Sequence, residues 1–391
     1  MILGVRHPRW LVVSALGIAQ VLAWGSSYYL IAVLARPIEA ATGWSYTWIA
    51  GGLSLGFLIS GLVSPRVGRL VEQFGGRPVL ASSALILAVG MVLLAIAPNE
   101  IFYLLAWVVL GVGMGAGLYD PAFAALGRLY GEQARGAITL TTLWGGFAST
   151  LCWPLSQILV TNVGWRGTCL AYAAIDVAVV LPLYWFGLPR EARTPPIRHD
   201  AKPTGVVAPD MRVSFWLVAT NTTVSAVVMT VISVHLIALL QDRGASAEAA
   251  VALGALIGPA QVGARLVEML LARRHHPVWT LLVAASLTAL GLALLFGAPA
   301  IAAAGILLYG SGAGLRSIAR GSVPLALFGR DGYATLIGRL AMPALIAQSA
   351  APAIGALLLM WTGPNGTLIA MVLLSALNLA TAIPLLKHRN R

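Results

Sequence analysis

RLVE occupies residues 69–72 and recurs at 265–268, each copy closing a long apolar run. The recurrence raises the question of whether one unit is written twice in this chain. Composition settles the class first. Of 391 residues, 59% are hydrophobic and 10% charged, with a mean hydropathy of +0.86, whereas a soluble domain averages about 25% charged residues. Such a surface has no stable form in water. The expectation is an all-α polytopic membrane protein, because helices of about 20 apolar residues satisfy their own backbone groups inside hydrocarbon.

Apolar runs near 10–34, 46–65, 79–97, 101–124, 137–160, 168–188, 214–240, 248–270, 278–297, 299–321, 334–361 and 367–386 predict twelve transmembrane helices. The opening MILGVRHPRW leads into an apolar stretch longer than a signal-peptide core of roughly 7–15 residues, so it reads as a retained first span. One long polar, proline-rich segment, PREARTPPIRHDAKPTGVVAPDMR (189–212), falls at mid-chain. It reads as a cytoplasmic linker between an N-terminal six-helix bundle, 1–188, and a C-terminal one, 213–391. With the N-terminus inside, eighteen of the 25 lysines and arginines fall in inner loops or tails and three (Arg36, Arg166 and Arg243) in outer loops. That bias predicts both termini in the cytoplasm, in a plasma (inner) membrane. The net charge of +12 is spread over short loops, which argues for topology rather than nucleic acid. Cys152 and Cys169 lie in or beside apolar runs and suggest neither disulfide nor metal; no cofactor is expected.

Further echoes accompany RLVE. GAGL stands at 115–118 and 312–315, Gly167-Thr168 returns as Gly366-Thr367, and AIDVAVVLPL (174–183) returns as ALNLATAIPL (376–385). Their offsets run 197, 199 and 202, against 196 for RLVE. Several echoes in order predict two copies of one six-helix unit. GFLI (56–59) against GALI (254–257) gives 198, so the RLVE register itself is not fixed by the words.

The segment GRLVEQFGGR (68–77) resembles the loop signature of the major facilitator superfamily, Gly-x-Leu-x-Asp-Arg-x-Gly-Arg-Arg/Lys. Gly68, Leu70, Gly75 and Arg77 match; Glu72 replaces the aspartate, and Gln73 and Gly76 stand where arginines are usual. The resemblance implies two six-helix bundles with helices 1, 4, 7 and 10 lining the path. GWS (43–45), LYDPAFAALGRLY (118–130) and GWRG (164–167) are similar to the monocarboxylate and oxalate/formate branch. Members of that branch carry a helix-8 arginine that meets a substrate carboxylate, often with an aspartate one turn earlier. Arg265 falls at the arginine position and Gln261, which cannot titrate, at the other.

Charges within the spans are the candidate functional residues, since a mid-helix Arg or Asp costs about 2.5–3.5 kcal/mol. Arg265 has Glu268 one turn on, either as a self-neutralised pair or as a partner exchanged for an anionic substrate. Arg316 and Arg320, four apart, share a face and repel, so either a substrate anion or a salt bridge from another helix is expected near Arg316. Asp120, before Pro121, reads as a helix-break cap, a partner for Arg265 or Arg316, or a proton carrier. The glycines of GVGMGAGLYDP (111–121) lie in a span with no preceding strand and suit close helix packing, not a dinucleotide. Asp176 and its echo Asn378 suggest an inherited structural hydrogen bond or a proton relay. His235 reads as a packing residue or a proton-coupling group. Tyr28, Tyr119 and Gln157 are candidate substrate donors beside Trp24 and Trp153. At the inner face Gly68, Glu72, Gly75, Arg77 and Arg128 form a candidate gate, Glu72 pairing with Arg77 or Arg128.

No HExxH or P-loop motif is present, so no enzyme is expected. The leading expectation is a secondary transporter that moves a small organic anion by alternating access, a proton-coupled monocarboxylate being the foremost case. The rivals are efflux of lipophilic compounds and a transport-inactive sensor. The partners implied are the solute and the bilayer, and a monomer suffices.

Overall fold

The computed structural model describes residues 8–191, 211–271, 274–296 and 299–388. Most of the expected linker, 192–210, lies outside the described residues. All regular structure among the described residues is helical. The helices are α1 Arg9–Gly25, α2 Leu30–Thr42, α3 Tyr46–Phe74, α4 Gly76–Ala95, α5 Glu100–Gly117, α6 Tyr119–Tyr130, α7 Ala134–Gly145, α8 Ala148–Ile175, α9 Leu181–Gly187, α10 Arg212–Asp242, α11 Ala247–Ala255, α12 Ile257–Leu271, α13 Pro277–Leu294, α14 Pro299–Phe328 and α15 Tyr333–Ala382.

These elements make twelve crossings once their bends are read. The near-continuous helical stretch Glu100–Gly187 has 88 residues, about 130 Å at helical rise, and cannot cross a bilayer core of about 30 Å once. It turns at Gly131, where a short 3-10 turn separates α6 from α7, and again inside α8 at Gly164. Likewise α15 turns at Gly363. Gly164 (φ 70, ψ 176) and Gly363 (φ 67, ψ −176) adopt backbone that only glycine enters cheaply. Softer breaks lie within crossings. Between α1 and α2, the Ser26 and Ser27 hydroxyls bond back to the Ala23 carbonyl and compete with the helical ladder. The first crossing therefore reaches Thr42, past the apolar run ending near Leu34, because Arg36 and Glu39 neutralise each other at 2.7 Å on its polar extension.

The chain divides into two compact units, Met1–Val206 with Arg330–Met342, and Val207–Gly329 with Pro343–Arg391. Each unit repeats the other's internal packing. A Cβ on Gly111 would stand 2.7 Å from the Gly56 carbonyl oxygen, and one on Gly310 would stand 3.0 Å from that of Ile257. Gly113 meets the Leu87 amide as Gly312 meets that of Thr288, and Gly90 meets Leu110 as Gly291 meets Tyr309. The elbows repeat as well, with Thr168 Oγ1 donating to the Gly164 carbonyl and Thr367 Oγ1 to that of Gly363, both at 2.8 Å. Ser45 and Ser246 each cap the next helix, α3 and α11.

This packing fixes the register of the duplication. Helices α5 and α14 correspond at a shift of 199, and α3 and α12 at 201 (Gly56 with Ile257, Ser60 with Gln261). The RLVE words, 196 apart, are therefore five residues out of step, and GAGL is two out. Arg265 corresponds to Ser64, not to Arg69, and Arg316 to Gly117. The duplication holds, but the word that first suggests it is a chance recurrence in an alphabet rich in Leu, Val and Gly.

The three arginines expected in outer loops have structural partners, Arg36 in Glu39 at 2.7 Å. Arg166 donates to the Ala95 and Ala97 carbonyls at the end of α4. Arg243 donates to the Phe296 carbonyl beyond α13 and bonds Asn365 beside the Gly363 elbow. A cation at a helix C-terminus is favoured by the exposed carbonyls there.

Equivalent glycines should respond alike. Gly111→Val and Gly310→Val should each cost about 1–3 kcal/mol through overpacking, read as a lowered thermal midpoint in detergent. Gly258→Ala, which meets nothing within 4 Å, should leave the midpoint unchanged.

Candidate functional site

In the first unit the candidate gate closes around one guanidinium. Arg128, in the last turn of α6, donates through Nη1 to the Glu72 carbonyl at 2.6 Å and to its Oε1 at 2.8 Å. Its Nε donates to Glu191 Oε2 at 2.9 Å. Of the two partners expected for Glu72, the structure selects Arg128; Arg77 instead lies over the Trp185 ring, 4.6 Å from its centroid. Glu191 Oε1 accepts from the Gly76 amide at 2.8 Å, just after Gly75 (φ 84). Glu72 Oε2 accepts from the Ala334 amide at 3.2 Å in the first turn of α15, where anionic groups are stabilised. Gly68 and Gly338 let the two backbones cross, a Cβ on Gly68 standing 2.4 Å from the Ala334 oxygen. Tyr333, fully buried, covers Gly127. The first turns of α15 are thus anchored to α3 and α6 by charge, amide and close contact together.

Tyr28 and Tyr119 both belong to one aromatic cluster. Trp24 stands between them, with ring centroids 5.3 Å from Tyr28 and 5.0 Å from Tyr119. Phe57 and Phe123 extend the cluster. Gln157 does not join it: it is exposed on α8, and its amide bonds Thr161 one turn on. Asp120 lies in the first turn of α6, after the break at Leu118, within electrostatic reach of Tyr333.

The second unit holds the candidate arginines. Arg265 is 5% exposed; its Nη2 donates to Gln261 Oε1 at 3.2 Å, and its Nε reaches the Gly314 carbonyl at 3.4 Å. Gly314 precedes Arg316 by two residues on α14. Arg316 borders two narrow clefts. Asn221, Thr222 and Arg320 help to complete one, and Ser225, Ser375 and Asn378 the other. Arg265 lines neither. Glu268 accepts from Thr280 Oγ1 at 2.8 Å and lies 3.4 Å from His275 Nε2, which ties α12 to α13. His235 bonds the Pro352 carbonyl at 3.0 Å and presses on Gly355, a packing position on α15.

Sequence reading did not single out Glu191, Tyr333 or, apart from Asn378, the small polar residues around Arg316. Glu191 and Arg128 lie 63 positions apart, and nothing local marks them as partners. The one available signal is an acidic side chain at the edge of an otherwise basic linker.

Known proteins bear on this geometry in two ways. The description Major Facilitator Superfamily belongs to the family model that matches residues 16–315, and the chain belongs to that superfamily of membrane transporters. Human Monocarboxylate transporter 11 is 29% identical over 231 residues, 56% of this chain and 46% of that protein. The chain thus spans about half the length of this relative. Among solved structures, the human organic anion transporter MFSD10 (TETRAN) superposes with a TM-score of 0.77 at 17% identity, covering 96% of this chain and 99% of that one. The transporter FucP in its outward conformation gives 0.76 at 15% identity, with the same coverage. At such identities the likeness is one of fold.

The Arg128 cluster makes a graded prediction. Both its ion pairs are largely buried, with side-chain exposures of 12–15%. Arg128→Met should destabilise the protein by about 3 kcal/mol, because two carboxylates lose their cation. Adding Glu72→Gln should restore part of that loss in a denaturant titration in micelles; strictly additive losses would show that the groups act independently.

Proposed function

We propose that the protein is a secondary transporter that carries a small organic anion, with a monocarboxylate as the first candidate, across a plasma (inner) membrane. Its two six-helix units expose the solute to either side in turn. The observation that carries the reading is the pair of arginines in the second unit: Arg265, buried beside Gln261 and the Gly314 carbonyl, and Arg316, half-buried at the edge of two clefts with small polar side chains in their walls. Guanidinium groups are costly in apolar helices and mark solute paths when they occur there. A planar guanidinium with Gln261 beside it offers a two-pronged fork to a carboxylate. The names of the relatives support the anion: one is called a monocarboxylate transporter and another an organic anion transporter.

In this scheme Arg265, Gln261 and Arg316 bind the solute, and Tyr28 and Tyr119 add donors from the first unit. Gln157, Asp120, Glu268 and His235 stay subsidiary candidates for solute binding, charge partnership or proton coupling. The Glu72–Arg128–Glu191 cluster holds the start of α15 and serves as the cytoplasmic gate. The arginine and lysine bias places both termini in the cytoplasm, with residues 189–212 linking the bundles, and one chain suffices for the cycle.

A thermal-shift screen of short organic anions should find ligands that raise the melting temperature of the wild type. Arg265→Ala should weaken the best of them tenfold or more, about 1.4 kcal/mol, and Arg265→Lys should weaken it as well. Stabilisation by lipophilic cations instead would favour export of such compounds. Anion binding without uptake into liposomes would favour a sensor.

A further inference from the structure

At mid-membrane in the first unit lies a carboxyl group that no solute role uses. Asp176 is 0% exposed. It stands eleven residues from Trp165, which opens its crossing just after the elbow, and eleven from Gly187, which closes it, about 16 Å from either end. The helix is irregular at this point: Asp176–Val180 forms one π-turn between α8 and α9, a distortion that often accompanies function. Opposite it is another break, the turn after α1 at Ser26.

Acceptors around this group outnumber the hydrogens available to them. Ser26 Oγ lies 3.3 Å from Asp176 Oδ1 and 3.4 Å from the Ala23 carbonyl. A hydroxyl has one hydrogen and serves one of these acceptors at a time. Asp176 Oδ2 and the neighbouring Gln20 Oε1 are both buried with no donor. Among the described residues no cation pairs with Asp176; the charged residue of α8, Arg166, lies near its elbow and donates to the Ala95 and Ala97 carbonyls. From α8 and α9 the titratable groups that feel it are Tyr172 and Tyr184. The Tyr172 hydroxyl is shared with Ser156 and the Cys152 backbone, and Tyr184 is bonded to Gln20. The charged residue of α4, Arg77, is in its first turn over Trp185; that of α1, Arg9, is at its start and bonds the Gln133 carbonyl.

The duplicated unit shows a related contact with a built-in donor. Ser225 stands 199 residues after Ser26, the shift of the elbows, and the Asn378 amide donates to it at 2.8 Å, as Asp176 faces Ser26. An amide donates; an ionised carboxylate cannot.

We propose that Asp176 is a proton-binding site of the carrier, occupied in this conformation. One proton from the aqueous phase joins the carboxylate as a neutral acid. That acid donates to Ser26, as the Asn378 amide donates to Ser225, and the serine hydrogen joins that of Ser27 at the Ala23 carbonyl. When the α1–α2 break and the π-turn rearrange, the proton returns to water on the other side and the carboxylate is left to be hydrated. Occupancy of the site stands on its own; its use to drive anion uptake rests on the transport reading above.

The test compares wild type and Asp176→Asn, full length, in liposomes. Infrared spectra should show a protonated-carboxyl C=O band in the wild type that Asp176→Asn removes; identical spectra would overturn the site. For short monocarboxylates, the variant should keep solute exchange at zero gradient and lose the stimulation by an inward proton gradient. Full gradient stimulation in Asp176→Asn would overturn the coupling role. Should Asp176→Asn not fold, Ser26→Ala keeps the carboxyl and should shift that C=O band, and an unshifted band would count against the hydrogen bond. Absence of any anion uptake by wild type would remove the transport reading while the infrared result still decides occupancy.

Discussion

Every peptide group in this chain that meets lipid must be satisfied by the chain itself, and helices already surrounded by hydrocarbon gain little by hiding apolar surface from it. What brings such helices together is close van der Waals contact, which needs small residues where the axes cross. Gly111 on α5 against α3, Gly90 on α4 against α5, and Gly310 and Gly291 in the second unit are those points. Because backbone lies directly opposite backbone there, these positions tolerate the least change, and they preserve a common register after most other resemblance between the halves has faded.

On that shared frame the two halves have been furnished differently. Where the first unit has Gly117 and Asp176, the second has Arg316 and Asn378, each set beside a serine on the neighbouring helix. One half carries an acid with no cation against it, and the other carries guanidinium groups among amides and hydroxyls. Outside the hydrocarbon the same economy holds in reverse. Arg128 gathers Glu72 and Glu191, and Glu72 in turn meets the amide end of α15, so a single cation organises the ends of α3, α6 and α15.

The class, the crossings and the doubling were legible in the sequence because they rest on quantities that survive averaging: run length, hydropathy and the sum of several echoes. The first helix ran longer than its apolar run because Arg36 and Glu39 cancel, which hydropathy counts as two charges. RLVE misled because four-letter words recur freely in a chain with this composition, while the true register sits in glycines defined by what they touch. The choice of Arg128 over Arg77 as the partner of Glu72, the remoteness of Gln157 from Tyr28, and the position of Glu191 depend on distances between segments far apart in the chain. Local spacing holds no record of them.

The elbows at Gly164 and Gly363 carry one more implication, for how the protein is made. Each joins two crossings through a few residues whose carbonyls are taken up by Thr168 and Thr367. So little polar chain separates the paired helices that each pair can leave the ribosome-bound channel and enter lipid as one preformed hairpin. Assembly is thereby spared the passage of a hydrated loop through the bilayer at two of its steps.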